Sequence, residues 1–189
     1  QYGTIDILVN NAALYYDIQN ERNDYEYRQK VFQVNLHGAW LMARACAPTM
    51  VAQRYGRIIN QSSGAAYMYN MTPMGDFHEV SAFSYSQTKW GVVGLTKALA
   101  VELGSTGVNF NCISPGPIHT GMTSAIPDEA KEKCARRRVP LRRYGAPEGV
   151  AKMTLSPVLP AASYINGVAI PGEGGMPAHT TGAKPRRPP

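Results

Sequence analysis

The sequence predicts an α/β fold built on a doubly wound parallel sheet, and three observations predict it. Short apolar runs recur between longer stretches with helical spacing, the strand–helix alternation of α/β chains. The first of these runs, Ile5 to Asn10, looks like a strand buried in a parallel sheet. Hydrophobic residues make up 44 % of the 189-residue chain and charged residues 17 %, enough apolar material for the core of one domain.

Each element can be read in order. Ile5 to Asn10, Ile-Asp-Ile-Leu-Val-Asn, reads as the first buried strand. A helix is expected from Asn23, where Glu26 three residues on makes a variant of the capping box. Val31, Val34, Leu36, Trp40, Leu41 and Met50 carry its apolar face to about Gln53, and Gly56 ends it. Arg57 to Gln61 reads as a second strand. Gly64 to Phe83 has no clear period and contains Pro73 and Gly75, so it reads as a loop long enough to be functional. Ser84 or a neighbour opens the next helix, which runs to about Leu103. Trp90, Val92, Val93, Leu95, Leu99 and Val101 make it apolar around much of its surface, as in a buried or interface helix. Val108 to Ile113 is the third strand, ended by Ser114-Pro115-Gly116-Pro117. Helices follow over Asp128 to Arg138 and from Pro147, a residue favoured in the first helical turn. Pro157 and Pro160 should leave the latter short or broken, since proline inside a helix costs ~3 kcal/mol or more. Val168 to Ile170 is the last strand.

Composition narrows the class. No apolar run reaches the ~18 residues of a membrane span, and no basic-then-apolar signal opens the chain, which begins Gln1-Tyr2-Gly3. The expectation is a cytoplasmic protein whose start lies upstream, with no membrane partner. Cys46, Cys112 and Cys134 are scattered, and His37, His78, His119 and His179 show no ligand spacing, so no disulfide framework or metal site is signalled. The net charge of +6 sits largely in Arg136-Arg137-Arg138, Arg142-Arg143 and the tail Lys184 to Pro189. Solvated arginines account for it better than nucleic acid, because no aromatic–basic interleaving accompanies the charge. The Pro-rich stretch 177–189 is expected to be a disordered tail.

Chemistry centres on Tyr85 and Lys89, whose spacing of four puts both on one helix face. A phenol titrates near ~10, and an ammonium beside it favours the phenolate. A lowered pKa suits general acid–base work on a carbonyl. Lys89→Met is accordingly expected to move the basic limb of the pH profile upward. The pair stands in context. Ser62-Ser63 ends the second strand, Asn35 lies in the earlier helix, Asn10-Asn11-Ala12-Ala13 ends the first strand, and Pro115-Gly116-Pro117-Ile118-His119-Thr120 follows the third.

These features, in this order, resemble the short-chain dehydrogenase/reductase family over roughly Tyr2 to Met176. Arg143-Tyr144-Gly145-Ala146-Pro147-Glu148 and Gly172-Glu173-Gly174-Gly175 are similar to its C-terminal pattern. The resemblance implies a Rossmann-like fold, with 1–176 as the catalytic part of a single domain. The implied activity is hydride transfer between NAD or NADP and a secondary alcohol or ketone. Tyr85 would exchange the proton with the substrate oxygen. Lys89 would lower its pKa and bond the nicotinamide ribose. Ser63 would bond the carbonyl oxygen as charge develops, with Ser62 as the other candidate. Asn35 would hold a water linking Lys89 to solvent. Asn11 and Ala12 would lie beside the cofactor, and Pro115, Gly116, Ile118 and Thr120 would line the nicotinamide. Ala13 stands where the family usually has Gly.

The family's Gly-rich pyrophosphate turn is not found in these 189 residues, so the fold is expected to be N-terminally truncated and the chain alone to bind NAD or NADP weakly. Calorimetry checks this, and a low-micromolar Kd would refute it. Tyr67, Met68, Tyr69, Met71, Met74 and Phe77 are expected to wall an apolar pocket for a cyclic or aromatic alcohol. A 3-oxoacyl group on an acidic carrier, docking on Arg136 to Arg143, is an alternative. A non-catalytic remnant that keeps only an oligomer interface is another. A homo-oligomer, dimer or tetramer, is expected from the two long helices.

Overall fold

The computed structural model describes residues 3–15, 24–67 and 80–176. Asn23, the pocket-wall residues Met68, Tyr69, Met71, Met74 and Phe77, and the tail 177–189 lie outside the described residues. Four strands, β1 (Ile7–Asn10), β2 (Gly56–Gln61), β3 (Val108–Pro115) and β4 (Ala169–Gly172), form one sheet in the order β1-β2-β3-β4. All pairings are parallel, with Ile7 opposite Arg57, Gly56 opposite Val108 and Cys112 opposite Ala169.

The first long helix has three parts: α1 (Tyr25–Phe32), a π turn (Gln33–His37) and α2 (Gly38–Ala52). Its N-cap is Asp24, not Asn23. The Asp24 carboxylate accepts from the Tyr27 N–H at 2.7 Å, the bond that satisfies one of the free amides of a first turn. The interrupting π turn contains Asn35; such turns are rare and concentrate at functional sites. α3 (Val80–Leu103) begins earlier than expected. α4 (Asp128–Arg138) has the expected bounds. α5 (Pro147–Leu155) gives way to 3-10 turns at Ser156–Val158 and Pro160–Ala162, broken where the prolines stand.

Helices cover both faces of the sheet. On one face Ala43, Cys46 and Met50 of α2 and Ala100 of α3 pack on Ile58, Val108 and Phe110. On the other, Val150 and Met153 of α5 and Val158 pack on Ile59, Ile113 and Ile170. Adjacent strand residues such as Ile58 and Ile59 thus serve opposite cores, as the pleat requires. β1 pairs only with β2 among the described residues, and Ile7 and Val9 stay 49 % and 44 % exposed. Within the described residues no helix is long and apolar enough to cross a membrane.

One turn depends on glycine. Gly107, ahead of β3, has φ +91°, and a Cβ there would collide with the Arg54 carbonyl oxygen. Gly107→Ala therefore meets both an unfavourable backbone and a clash. It should lower unfolding free energy by about 2–4 kcal/mol, read as a fall in the urea midpoint; a change under about 0.5 kcal/mol would contradict this.

Candidate active site

Because all four strands run parallel, their carboxyl ends meet on one edge, where open α/β sheets bind ligands. Segments leaving β1, β2 and β3 there, with the first half of α3, enclose a cleft of about 1080 Å³. Asn11, Ala12, Ser63, Tyr85, Lys89, Pro115, Gly116, Ile118 and Thr120 all line it. Of the expected catalytic and cofactor residues only Asn35 stands apart; Tyr67, expected on the pocket wall, does not line the cleft and packs its ring 5.2 Å from that of Trp90.

Ser62 and Ser63 both line the cleft but differ in their hydrogen bonds. Ser62 is buried and donates to the Lys89 carbonyl at 2.8 Å, so it ties β2 to α3. Ser63 faces the cleft. Its Oγ accepts from the Ala65 N–H at 3.1 Å, fixing the 3-10 turn Gly64–Ala66, and it hydrogen-bonds Tyr85. Between the two candidates, Ser63 is the one brought to Tyr85.

Tyr85 is 8 % exposed, and the edge of the Tyr15 ring meets it at 4.7 Å between centroids. Burial pushes its hydroxyl up to about 12, with the Ser63 hydrogen bond opposing and Tyr15 reinforcing. Lys89 is 2 % exposed. Its ammonium donates to the Gln61 carbonyl at 2.8 Å and lies 5.4 Å from the Tyr85 ring centroid. Burial lowers it to about 8. The expected depression of the tyrosine by the lysine is thus not what this geometry yields. The ammonium turns to a backbone carbonyl, and loss of hydration dominates both groups.

Asn35 is buried. Its oxygen accepts from the Leu14 N–H at 2.7 Å, and its nitrogen donates to the Leu14 carbonyl at 2.9 Å and to Thr88 Oγ at 3.1 Å. It fastens the segment after β1 to the helix of Tyr85 and Lys89. Asn10 donates to Asn60 at 2.8 Å and to the Ala39 carbonyl at 3.2 Å, which ties strands together and leaves Asn11 to the cleft.

The far wall was only partly legible. Cys134 and Arg138 of α4, with Tyr144, Met122 and Ile126, complete it. Tyr144 is brought there because its neighbour Gly145 pairs with the segment after β3: Gly145 N donates to the Pro117 carbonyl at 2.9 Å, and His119 N to the Gly145 carbonyl at 3.0 Å. The Tyr144-Gly145 motif and the basic run Arg136 to Arg143 were the available signals; Cys134 carries none in sequence. Lys89 and Arg138 are the charged residues of the described lining, which contains no carboxylate. No group of three His, Cys, Asp or Glu side chains among the described residues is placed to hold a metal.

Comparison with known proteins adds independent findings. The family described as "Enoyl-(Acyl carrier protein) reductase" matches residues 1–177. The 3-oxoacyl-[acyl-carrier-protein] reductase FabG of Aquifex aeolicus is 40 % identical over 172 residues, covering 91 % of this chain and 65 % of that protein. Among solved structures, a 3-oxoacyl-[acyl-carrier protein] reductase from Brucella melitensis superposes with TM-score 0.81 at 30 % identity, covering 92 % of this chain and 63 % of the other. A gluconate 5-dehydrogenase from Burkholderia cenocepacia, in complex with NADP and tartrate, does so with TM-score 0.83 at 25 % identity, covering 95 % and 68 %. The chain spans about two thirds of the length of the curated relatives it matches.

Proposed function

The chain belongs to the short-chain dehydrogenase/reductase family, and from that premise we propose that it carries the catalytic part of an oxidoreductase acting on a secondary alcohol or ketone with NAD or NADP. The carrying observation is the convergence of Ser63, Tyr85 and Lys89 in one cleft with Asn11, Ala12 and the Pro115–Thr120 segment. The cleft fits the nicotinamide half of such a cofactor. It opens at the carboxyl edge of the sheet, and its charged lining residues are cations. When bound, the cofactor supplies or accepts the hydride.

The chain's own residues handle the oxygen and its proton. Ser63 Oγ donates to the carbonyl oxygen as negative charge grows there, in a site where burial strengthens such a bond. The Tyr85 hydroxyl delivers its proton to the same oxygen in reduction and takes it back in oxidation. Burial pushes the phenol up to about 12, so it is protonated at neutral pH and stands ready as the donor when the carbonyl is reduced. Lys89 is the cation available to the ribose hydroxyls. Asn35 acts by fastening the β1 segment against α3 and, in this reading, holds the water that links Lys89 to solvent.

Within this class, reduction of a 3-oxoacyl group on an acidic carrier is the reading that the exposed arginines favour. Arg137, Arg138, Arg142 and Arg143 are exposed at the end of α4 and just after it, and Arg138 lines the cleft's far wall. Assay of a 3-oxoacyl carrier thioester against small cyclic ketones tests it. The thioester should be preferred, with kcat/KM falling steeply as salt rises; a cyclic ketone turned over faster at every salt concentration would reverse the assignment. No turnover of either, with cofactor and full sequence present, would favour the non-catalytic reading.

We further propose that the protein is a homo-oligomer. Trp40, Leu41 and Met42 of α2 and Trp90 and Val101 of α3 are exposed, more large apolar surface on two helices than a monomer ordinarily leaves in water. Light scattering at micromolar concentration should give a dimer or tetramer mass, and a clean monomer would defeat this.

A further inference from the structure

Glu173 follows β4 and is 3 % exposed, the one acidic residue among the buried polar side chains described. Neither carboxyl oxygen has a hydrogen-bond partner. It does not line the cleft but lies behind it, between two segments that do. Gly116 comes so close that a Cβ there would stand 2.7 Å from Glu173 Cα, and its N–H donates to the Gly172 carbonyl at 3.0 Å. The side chain then runs beneath Gly64, where a Cβ would stand 2.8 Å from Oε1 and 3.0 Å from Cδ. Gly64 directly follows Ser63 and opens the turn that Ser63 itself caps. Gly116 thus makes room for the backbone at position 173, and Gly64 for the carboxyl group it carries.

We infer that Glu173 is a positioning residue: packed between the Gly116 segment and Gly64, it sets the height of the Ser63–Ala66 turn and so the approach of the Ser63 hydroxyl to Tyr85. The inference rests on the role proposed for Ser63. An ionised carboxylate without a partner is too costly to keep buried, and such a group neutralises instead. Burial accordingly raises this carboxyl from its ordinary value of 4.5. The titratable groups facing it do not offset that. Tyr67, at the end of the 3-10 turn, is itself raised by burial. Cys112 of β3 acts with Glu173 on that same hydroxyl. Arg143 shares with Glu173 the wall of a cavity of about 270 Å³ and is exposed. A raised folded-state value means full stability below 4.5 and loss as pH rises through the folded value. Ionisation would drive the carboxylate toward water and lift the turn away from Tyr85.

Amide hydrogen exchange of the 63–67 segment in the 189-residue chain, at several pH values, tests this without turnover. Wild type should lose protection in this segment as pH rises. Glu173→Gln, neutral and of equal length, should keep wild-type protection at low pH and abolish the alkaline loss. Glu173→Ala should lower protection about tenfold at every pH. In the turnover assay Glu173→Ala should lower kcat by about tenfold or more with the cofactor KM unchanged, since small displacements of a reacting group are costly, and Glu173→Gln should restore it and extend activity to higher pH. Wild-type protection in the Ala variant, or a Gln variant as loose as Ala, would overturn the inference. A wild type without turnover counts against the proposed reaction, and the exchange result still decides the role of Glu173.

Discussion

Tyr85→Phe removes nearly all turnover, a fall in kcat/KM of about 10³–10⁴, and leaves the fold and cofactor affinity almost unchanged. The ring contributes packing and the hydroxyl contributes the proton. The edge-on contact with Tyr15 at 4.7 Å needs only the ring, so phenylalanine keeps it. What disappears is the group that Ser63 bonds and that the substrate oxygen would protonate from. The buried hydroxyl is shielded from bulk water, so solvent has little access to replace it. Steady-state kinetics and cofactor titration on the same preparation measure this. A variant retaining more than about one hundredth of the wild-type kcat/KM would show that another group carries the proton.

Lys89→Met should be nearly as damaging to activity, by about 10²–10³, yet should not unfold the protein. Lys89 is buried, and its hydrogen bond to the Gln61 carbonyl offsets only part of the desolvation that lowers its pKa to about 8. Methionine of similar length fills the same space without that penalty. The pH consequence follows from the sign. Below about 8 the ammonium is present in the folded protein, and above it the ammonium is lost, so wild-type activity should decline on the alkaline side with a midpoint near there. Residual activity of the variant should lack that limb. This replaces the upward-moved tyrosine limb expected from spacing alone. Folded lysine also sheds its proton before unfolded lysine does. Wild-type stability should therefore rise with pH from about 8, until the Cys112 thiol, raised from 9.0 to about 11, opposes it. A variant that keeps the wild-type alkaline midpoint and normal cofactor affinity would remove Lys89 from both roles.

Much of this arrangement was legible in the sequence, for definite reasons. Short apolar runs located the four strands and apolar spacing the two long helices, whereas the 3-10 turns at Gly64–Ala66 and Gly121–Thr123 left no such signature. α4 matched its expected bounds because acidic residues open it and arginines close it, the order a helix dipole favours. The misplaced cap shows the limit: Asn23 and Asp24 are both good caps, and only the bond to Tyr27 distinguishes them. The π turn at Asn35 has no local code, since it accommodates contacts made with Leu14 and Thr88. Choosing between Ser62 and Ser63 required their hydrogen bonds, which send one hydroxyl to the Lys89 carbonyl and the other to Tyr85. The four-residue spacing placed Tyr85 and Lys89 together but left open where the ammonium would turn. Glu173 was hidden by its glycine-rich surroundings, which read as a turn; its role depends on Gly64 and Gly116, more than fifty residues away.

The all-parallel register also governs how the protein must fold. Ile7 meets Arg57, Gly56 meets Val108 and Cys112 meets Ala169. No two strands can zip up as a hairpin, and every pairing closes a loop of about fifty residues, an entropic debt incurred before any ladder contact rewards it. Helices can form early and locally, whereas the sheet is a late, cooperative event. Because the Ser63, Tyr85 and Gly116 segments hang from different strands and crossovers, the cleft has no partial version. Regained ligand binding during refolding should lag helix formation and coincide with completion of the sheet.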